Sequence, residues 1–121
     1  RQTPPMVSAI KKNGVPLYKL ARKGIEVERE PRLIHVYNFR FTEYAEPFEK
    51  FRVACTKGTY IRSIAHDLGQ KLGCGAHLTA LRRSASGKFD VADAKTLDEI
   101  LQMSAAQLEK RVIPYLKLAV A

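Results

Sequence analysis

A chain of 121 residues, 45% of them hydrophobic, is long enough for one modest domain with its own core and too apolar for intrinsic disorder. Lys and Arg number 21 against 12 Asp and Glu, a formal net charge of +9 with both signs spread along the chain, which points to a polyanionic partner, above all nucleic acid. No stretch is apolar for long enough to span a bilayer, and no charged segment leading into an apolar run opens the chain, so nothing reads as membrane-bound or secreted.

In chain order, PMVSAIKKNG reads as a strand that ends in the turn dipeptide Asn13-Gly14. A short helix follows: Pro16 suits its first turn, Leu17, Leu20 and Ala21 give it an apolar face, and Gly24 stops it. Its polar residues Lys19, Arg22 and Lys23 are all basic. From Leu33 to Phe41 the residues Leu33, His35, Tyr37, Phe39 and Phe41 fall on one face with period 2, the period of a strand. A turn at Glu46-Pro47 returns the chain through Phe51, Val53 and Cys55 as an antiparallel partner. In CTKGTYIRSIAHDLG and beyond, Ile61, Ile64, Ala65, Leu68 and Leu72 recur at helical spacing, with Thr59 placed as N-cap and Gly73 as the left-handed stop. AHLTALRRSASGKF is a further strand candidate, with Ala76, Leu78, Ala80 and Arg82 on one face and Leu81 on the other. Capping boxes at Thr96 to Glu99 and Ser104 to Gln107 predict two short surface helices that close the core.

The central helix poses an electrostatic question. Arg62 lies in its first turn and Lys57 just before it, where the macrodipole is already positive and a cation costs roughly 0.3 to 1 kcal/mol. Either Arg62 points into water, or an anion sits there, a phosphate or a carboxylate from elsewhere. Other chemistry fits less well. Gly69, Gly73 and Gly75 are too scattered for a phosphate loop, and Lys57 to Thr59 reverses the Walker order, which argues against a nucleoside triphosphate site. His66 and Asp67 are adjacent on a helix and do not face one another, so they make no base and orienter pair; His66 reads as a surface residue. His35 and His77 read as structural strand histidines, and Cys55 lacks an evident His partner for a nucleophilic role. Cys55 and Cys74, in apolar surroundings, are expected to be free thiols of a reducing compartment. The pair Cys74 and His77 has no second pair to complete a zinc site, so no metal is expected.

What remains is a cationic and aromatic group, Lys57, Tyr60, Arg62, Leu81, Arg82 and Arg83, with Lys11, Lys12, Lys19 and Arg22 besides. Aromatic and guanidinium planes stack on unpaired bases while lysines meet phosphates, which fits looped or single-stranded RNA.

Two stretches, QTPPMVSAIKKNGVPLYKLARKG (residues 2–24) and CTKGTYIRSIAHDLGQKLGCGAHLTALRR (residues 55–83), carry the patterns P-P-x-x-S-A-x-K, L-Y-x-x-A-R-x-G, K-G-T-Y-I-R and H-L-x-x-L-R-R together and in order. In this the chain resembles the later half of the tRNA pseudouridine synthase B (TruB) family, with Val7 where many relatives carry Tyr. The resemblance implies an α+β fold with a mixed, largely antiparallel sheet and flanking helices. It also implies a cofactor-free isomerisation in which a flipped T-loop uridine of tRNA is detached from its sugar and rejoined through C5. Arg62 matches an Arg that pairs with a nucleophilic Asp in a G-x-L-D-P-x-A-T-G motif, and Tyr60 and Leu81 match positions lining the uracil pocket. Lys57, Lys19, Arg22, Arg82 and Arg83 are then expected to bind RNA. No such Asp motif occurs in these residues, and the family's base-stacking aromatic also belongs to its earlier half. The expectation is therefore a single domain over 1–121, the later portion of a longer, monomeric, cytoplasmic enzyme, which supplies half of the site and is inactive alone. The alternatives are a non-catalytic RNA-binding module and a synthase of guide-RNA (H/ACA-type) particles. The L-Y-K-L-A-R-K-G stretch favours the bacterial stand-alone type.

Overall fold

A computed structural model describes residues 1–119. The fold is α+β, with three two-stranded antiparallel sheets and five α-helices among the described residues. The chain divides into two compact units, Arg1–Thr79 and Ala80–Ala121.

In the first unit, β1 (Lys11–Lys12) pairs with β2 (Val15–Pro16) across Asn13 and Gly14, whose φ values of 52° and 78° suit the tight hairpin turn that twisted strands prefer. Helix α1 (Leu17–Arg22) follows with Pro16 as N-cap residue, and Lys19 and Arg22 fall in its last turn, where cations complement the negative helix end. Leu17 is 1% exposed, and its backbone N–H donates to the Ile10 carbonyl at 2.7 Å. Strands β3 (Val36–Ala45) and β4 (Phe48–Cys55) form an antiparallel hairpin that sets Phe39 opposite Val53 and Phe41 opposite Phe51. Phe51, Val53 and Cys55 alternate as the half-buried side of β4, and Phe39 stacks on Phe51 with ring centroids 5.0 Å apart. Helix α2 (Ile61–Leu72) ends at Gly73 in the left-handed conformation, φ 80°, as its position predicts. Ala65 and Gly69 are its buried residues.

The second unit holds β5 (Ala85–Ser86) paired with β6 (Phe89–Asp90), a 3₁₀ turn at Val91–Asp93, and helices α3 (Leu97–Leu101), α4 (Ala105–Arg111) and α5 (Tyr115–Ala119). Both predicted capping boxes are present. The 3₁₀ turn and α5 were not expected. Asp90 caps the former through Ala92 N at 2.8 Å, and Pro114 before Tyr115 is the available sequence signal for the latter.

Several expectations need correction. The first strand is only Lys11–Lys12, because Ser8 N–H bonds back to Met6 O at 2.9 Å and residues 6–9 bend. The second begins at Val36, so Leu33 and His35 precede it, and bulges between Val36 and Asn38 and between Phe41 and Glu43 interrupt the alternation. Residues 76–83 form no strand: a strand needs a ladder partner, and none of the described strands pairs with them. His77 therefore lies in an exposed loop, as does Cys74. Helices α3 and α4 lie at the surface as expected, but they bury no side chain and so close no core.

Candidate functional site

Two of the predicted site residues, Tyr60 and Arg62, meet at the start of α2, and that start differs from the sequence expectation. Thr59 is not the N-cap. Its hydroxyl lies 3.5 Å from that of Thr56, and Thr56 is in turn tied to His35 by a backbone bond of 2.9 Å and by its hydroxyl, which accepts from His35 N at 2.9 Å. Those contacts hold the turn at Lys57 and Gly58 against the end of the β3–β4 hairpin, with Lys57 exposed. Tyr60 is the N-cap residue, with extended backbone and no side-chain cap of its own.

Capping comes instead from Gln2, 58 residues earlier. Its Oε1 accepts from Tyr60 N–H at 2.7 Å and its Nε2 donates to Tyr60 O at 2.9 Å. In a capping box the third helical residue reaches back to that N–H; here Ser63 occupies this position and its hydroxyl turns to Thr3 O at 3.4 Å. Nothing local in the sequence marks Gln2. The only signal was its place at the head of a patterned stretch.

Arg62 donates from Nη2 to Val7 O at 2.8 Å, and its guanidinium carbon lies 5.9 Å from the centre of the Tyr60 ring, so Tyr60 and Arg62 are brought together. Among the described residues no carboxylate is within ion-pair distance of Arg62. Arg62 is exposed and lines an open cleft of about 600 Å³ with Arg1, Arg29, Ser63, His66 and Asp67. His66 is exposed, as predicted. The guanidinium thus spends one donor on a backbone dipole and keeps others for an anion entering that cleft.

The remaining residues are distributed differently. Lys19 and Arg22 are exposed on α1, with Arg22 5.1 Å from the centre of the Tyr18 ring. Lys12 bonds Glu28 O at 2.6 Å. Leu81, at 65% exposure, Arg82 and Arg83 are exposed residues of the second unit. Among the described residues no group of three or more His, Cys, Asp and Glu is placed to hold a metal, and no helix is long and apolar enough to cross a membrane.

Residues 1–61 match the family described as TruB family pseudouridylate synthase (N terminal domain), and residues 62–119 match the tRNA pseudouridylate synthase B C-terminal domain. The chain belongs to the TruB family. The junction of the two matches falls inside the first turn of α2, between Ile61 and Arg62. Proteins named tRNA pseudouridine synthase B are similar to it at 66% identity in Opitutus terrae, over 93% of this chain and 47% of the relative. In Syntrophotalea carbinolica the figures are 57%, 85% and 34%, and in Geotalea uraniireducens 55%, 81% and 32%. The chain therefore spans about a third to a half of the length of the curated relatives it matches.

Proposed function

We propose that these residues are the later portion of the catalytic domain of a cofactor-free, cytoplasmic tRNA pseudouridine synthase that acts as a monomer on the T-loop uridine of the tRNA T-arm. The observation that carries the reading is Arg62: an exposed guanidinium at the positive end of α2, anchored on Val7 O beside Tyr60, with no carboxylate partner among the described residues. A nucleophilic Asp, of the kind the family motif supplies, would satisfy it. Arg62 would hold that carboxylate ionised and oriented toward the ribose. Tyr60 and Leu81 would line the pocket for the flipped uracil. The net reaction breaks the bond from C1′ to N1, forms one from C1′ to C5 and transfers the C5 proton to N1, so atoms balance without a co-reactant.

Lys57, Lys19, Arg22, Arg82 and Arg83 would meet the RNA backbone, which supplies affinity without reading sequence. The test is single-turnover conversion of a T-arm substrate by the full-length protein. Arg62→Ala is expected to slow conversion by about 10²-fold or more while RNA affinity stays nearly intact. Lys19→Ala is expected to weaken binding and lower the salt slope by about one unit with little change in the rate at saturation. An Arg62→Ala protein with full activity would refute the assignment.

A further inference from the structure

We infer that Gln2 is a positioning residue for the site, fixing the peptide of Tyr60 from which both Tyr60 and Arg62 are presented; this rests on the function proposed above. Gln2 is 5% exposed, and its side-chain amide uses its oxygen on the N–H and its nitrogen on the carbonyl of Tyr60. That carbonyl also accepts from Ser63 N at 3.1 Å and Ile64 N at 3.3 Å, so Gln2 grips the group on which the helix begins. Gln2 is itself immobilised: its backbone exchanges two hydrogen bonds with Arg32, at 2.7 and 2.6 Å. Five residues further along, the same strap presents Val7 O to Arg62.

The chemistry explains why the fit is to an amide. Tyr60 N–H precedes the helix and has no intrahelical acceptor, and a buried orphan donor is costly. A neutral amide offers an acceptor to the N–H and a donor to the C=O at once, which neither a carboxylate nor a lysine ammonium can do. Without it the first turn can fray by a fraction of an ångström to an ångström. A misplacement of that order at reacting groups costs rate and leaves the distributed phosphate contacts in place.

The experiment uses the full-length protein with Gln2→Met, which keeps length and loses both bonds, and Gln2→Glu, which keeps the acceptor and sets an oxygen against the Tyr60 carbonyl. Amide hydrogen exchange, melting temperature, affinity for a T-arm hairpin and single-turnover rate are measured on each. Gln2→Met is expected to speed exchange at Tyr60 by about tenfold or more with Leu68 unchanged, and Gln2→Glu to leave Tyr60 N–H more protected than Gln2→Met does. Both should slow conversion by at least about tenfold at saturating RNA, with affinity within about threefold of the parent. A Gln2→Met protein that converts at the parent rate, or whose rate loss only follows its unfolded fraction, overturns the positioning role alone. A parent protein that makes no pseudouridine overturns the proposed function and the positioning role with it.

Discussion

At Glu99 the exposed side chain accepts from the Thr96 hydroxyl at 3.1 Å, takes the Thr96 backbone N–H at 3.4 Å, and lies 3.6 Å from Lys95 Nζ. The Thr96 side-chain bond, then its backbone bond and the Lys95 charge, lower the carboxyl below its ordinary value. A carboxyl depressed in the folded state adds stability above its unfolded pKa and loses it as pH falls through the folded one. Helix α3 is therefore expected to fray only under acid. Titration of the Glu99 side chain by NMR should give a midpoint below that of a free glutamate, and Thr96→Ala should move it back up; an unshifted midpoint in the parent would contradict the capping box. This cap was legible because donor and acceptor are three residues apart. The cap on α2 was not: Thr59 has the right residue type at nearly the right place, but Gln2 serves from 58 residues away. No local pattern contains that pairing.

Elements with local causes were legible in the same way. The Asn13-Gly14 hairpin, α1 between Pro16 and Gly24, and the turn-joined pair β3 and β4 follow from turn chemistry and period. The strand expected over AHLTALRRSASGKF, residues 76–89, failed across residues 76–84, because alternation states a face and supplies no ladder partner, and survives only as β5 and the start of β6. At the head of that stretch, backbone packs on backbone instead. Gly75 N–H donates to Gly69 O at 3.0 Å, and a Cβ built on Gly69 would collide with Ala76 N and the Gly75 carbonyl carbon. Gly69 thus belongs to a close approach of helix and loop. In an open helix Gly→Ala gains roughly 0.5 to 1 kcal/mol. Here the colliding atoms are backbone and cannot swing away, so overpacking of about 1 to 3 kcal/mol should win and Gly69→Ala should destabilise the protein. Urea unfolding measures the sign, and a raised midpoint would show that the loop yields.

Across the whole chain, composition promised a core that the described residues do not contain. Of a sequence that is 45% hydrophobic, the buried apolar side chains are Leu17, Ala65 and Pro4, while Tyr37, Phe41, Tyr44 and Phe48 on the β3–β4 hairpin are each more than half exposed. Composition reports how much apolar surface a chain carries, and says nothing of what covers it. The proposed site is distributed likewise: Tyr60 and Arg62 lie together at the start of α2, but no carboxylate among the described residues is within ion-pair distance of Arg62. Charge requires no such completion. The five cations assigned to RNA, Lys19, Arg22, Lys57, Arg82 and Arg83, are all exposed. At about 0.7 to 0.9 counterions released per phosphate neutralised, five contacts make a fourfold rise in salt cost about 10²-fold in affinity. Binding and chemistry should therefore separate in a polypeptide of these 121 residues. It is expected to bind a T-arm hairpin with that salt dependence and to form no pseudouridine, since flipping a base costs a few kcal/mol that half a pocket cannot return and no carboxylate stands ready to attack. Titrations at two salt concentrations and a single-turnover assay on the same preparation decide both points. Affinity indifferent to salt would remove the phosphate-binding assignment, and pseudouridine formed by this polypeptide alone would show that the nucleophile lies within it.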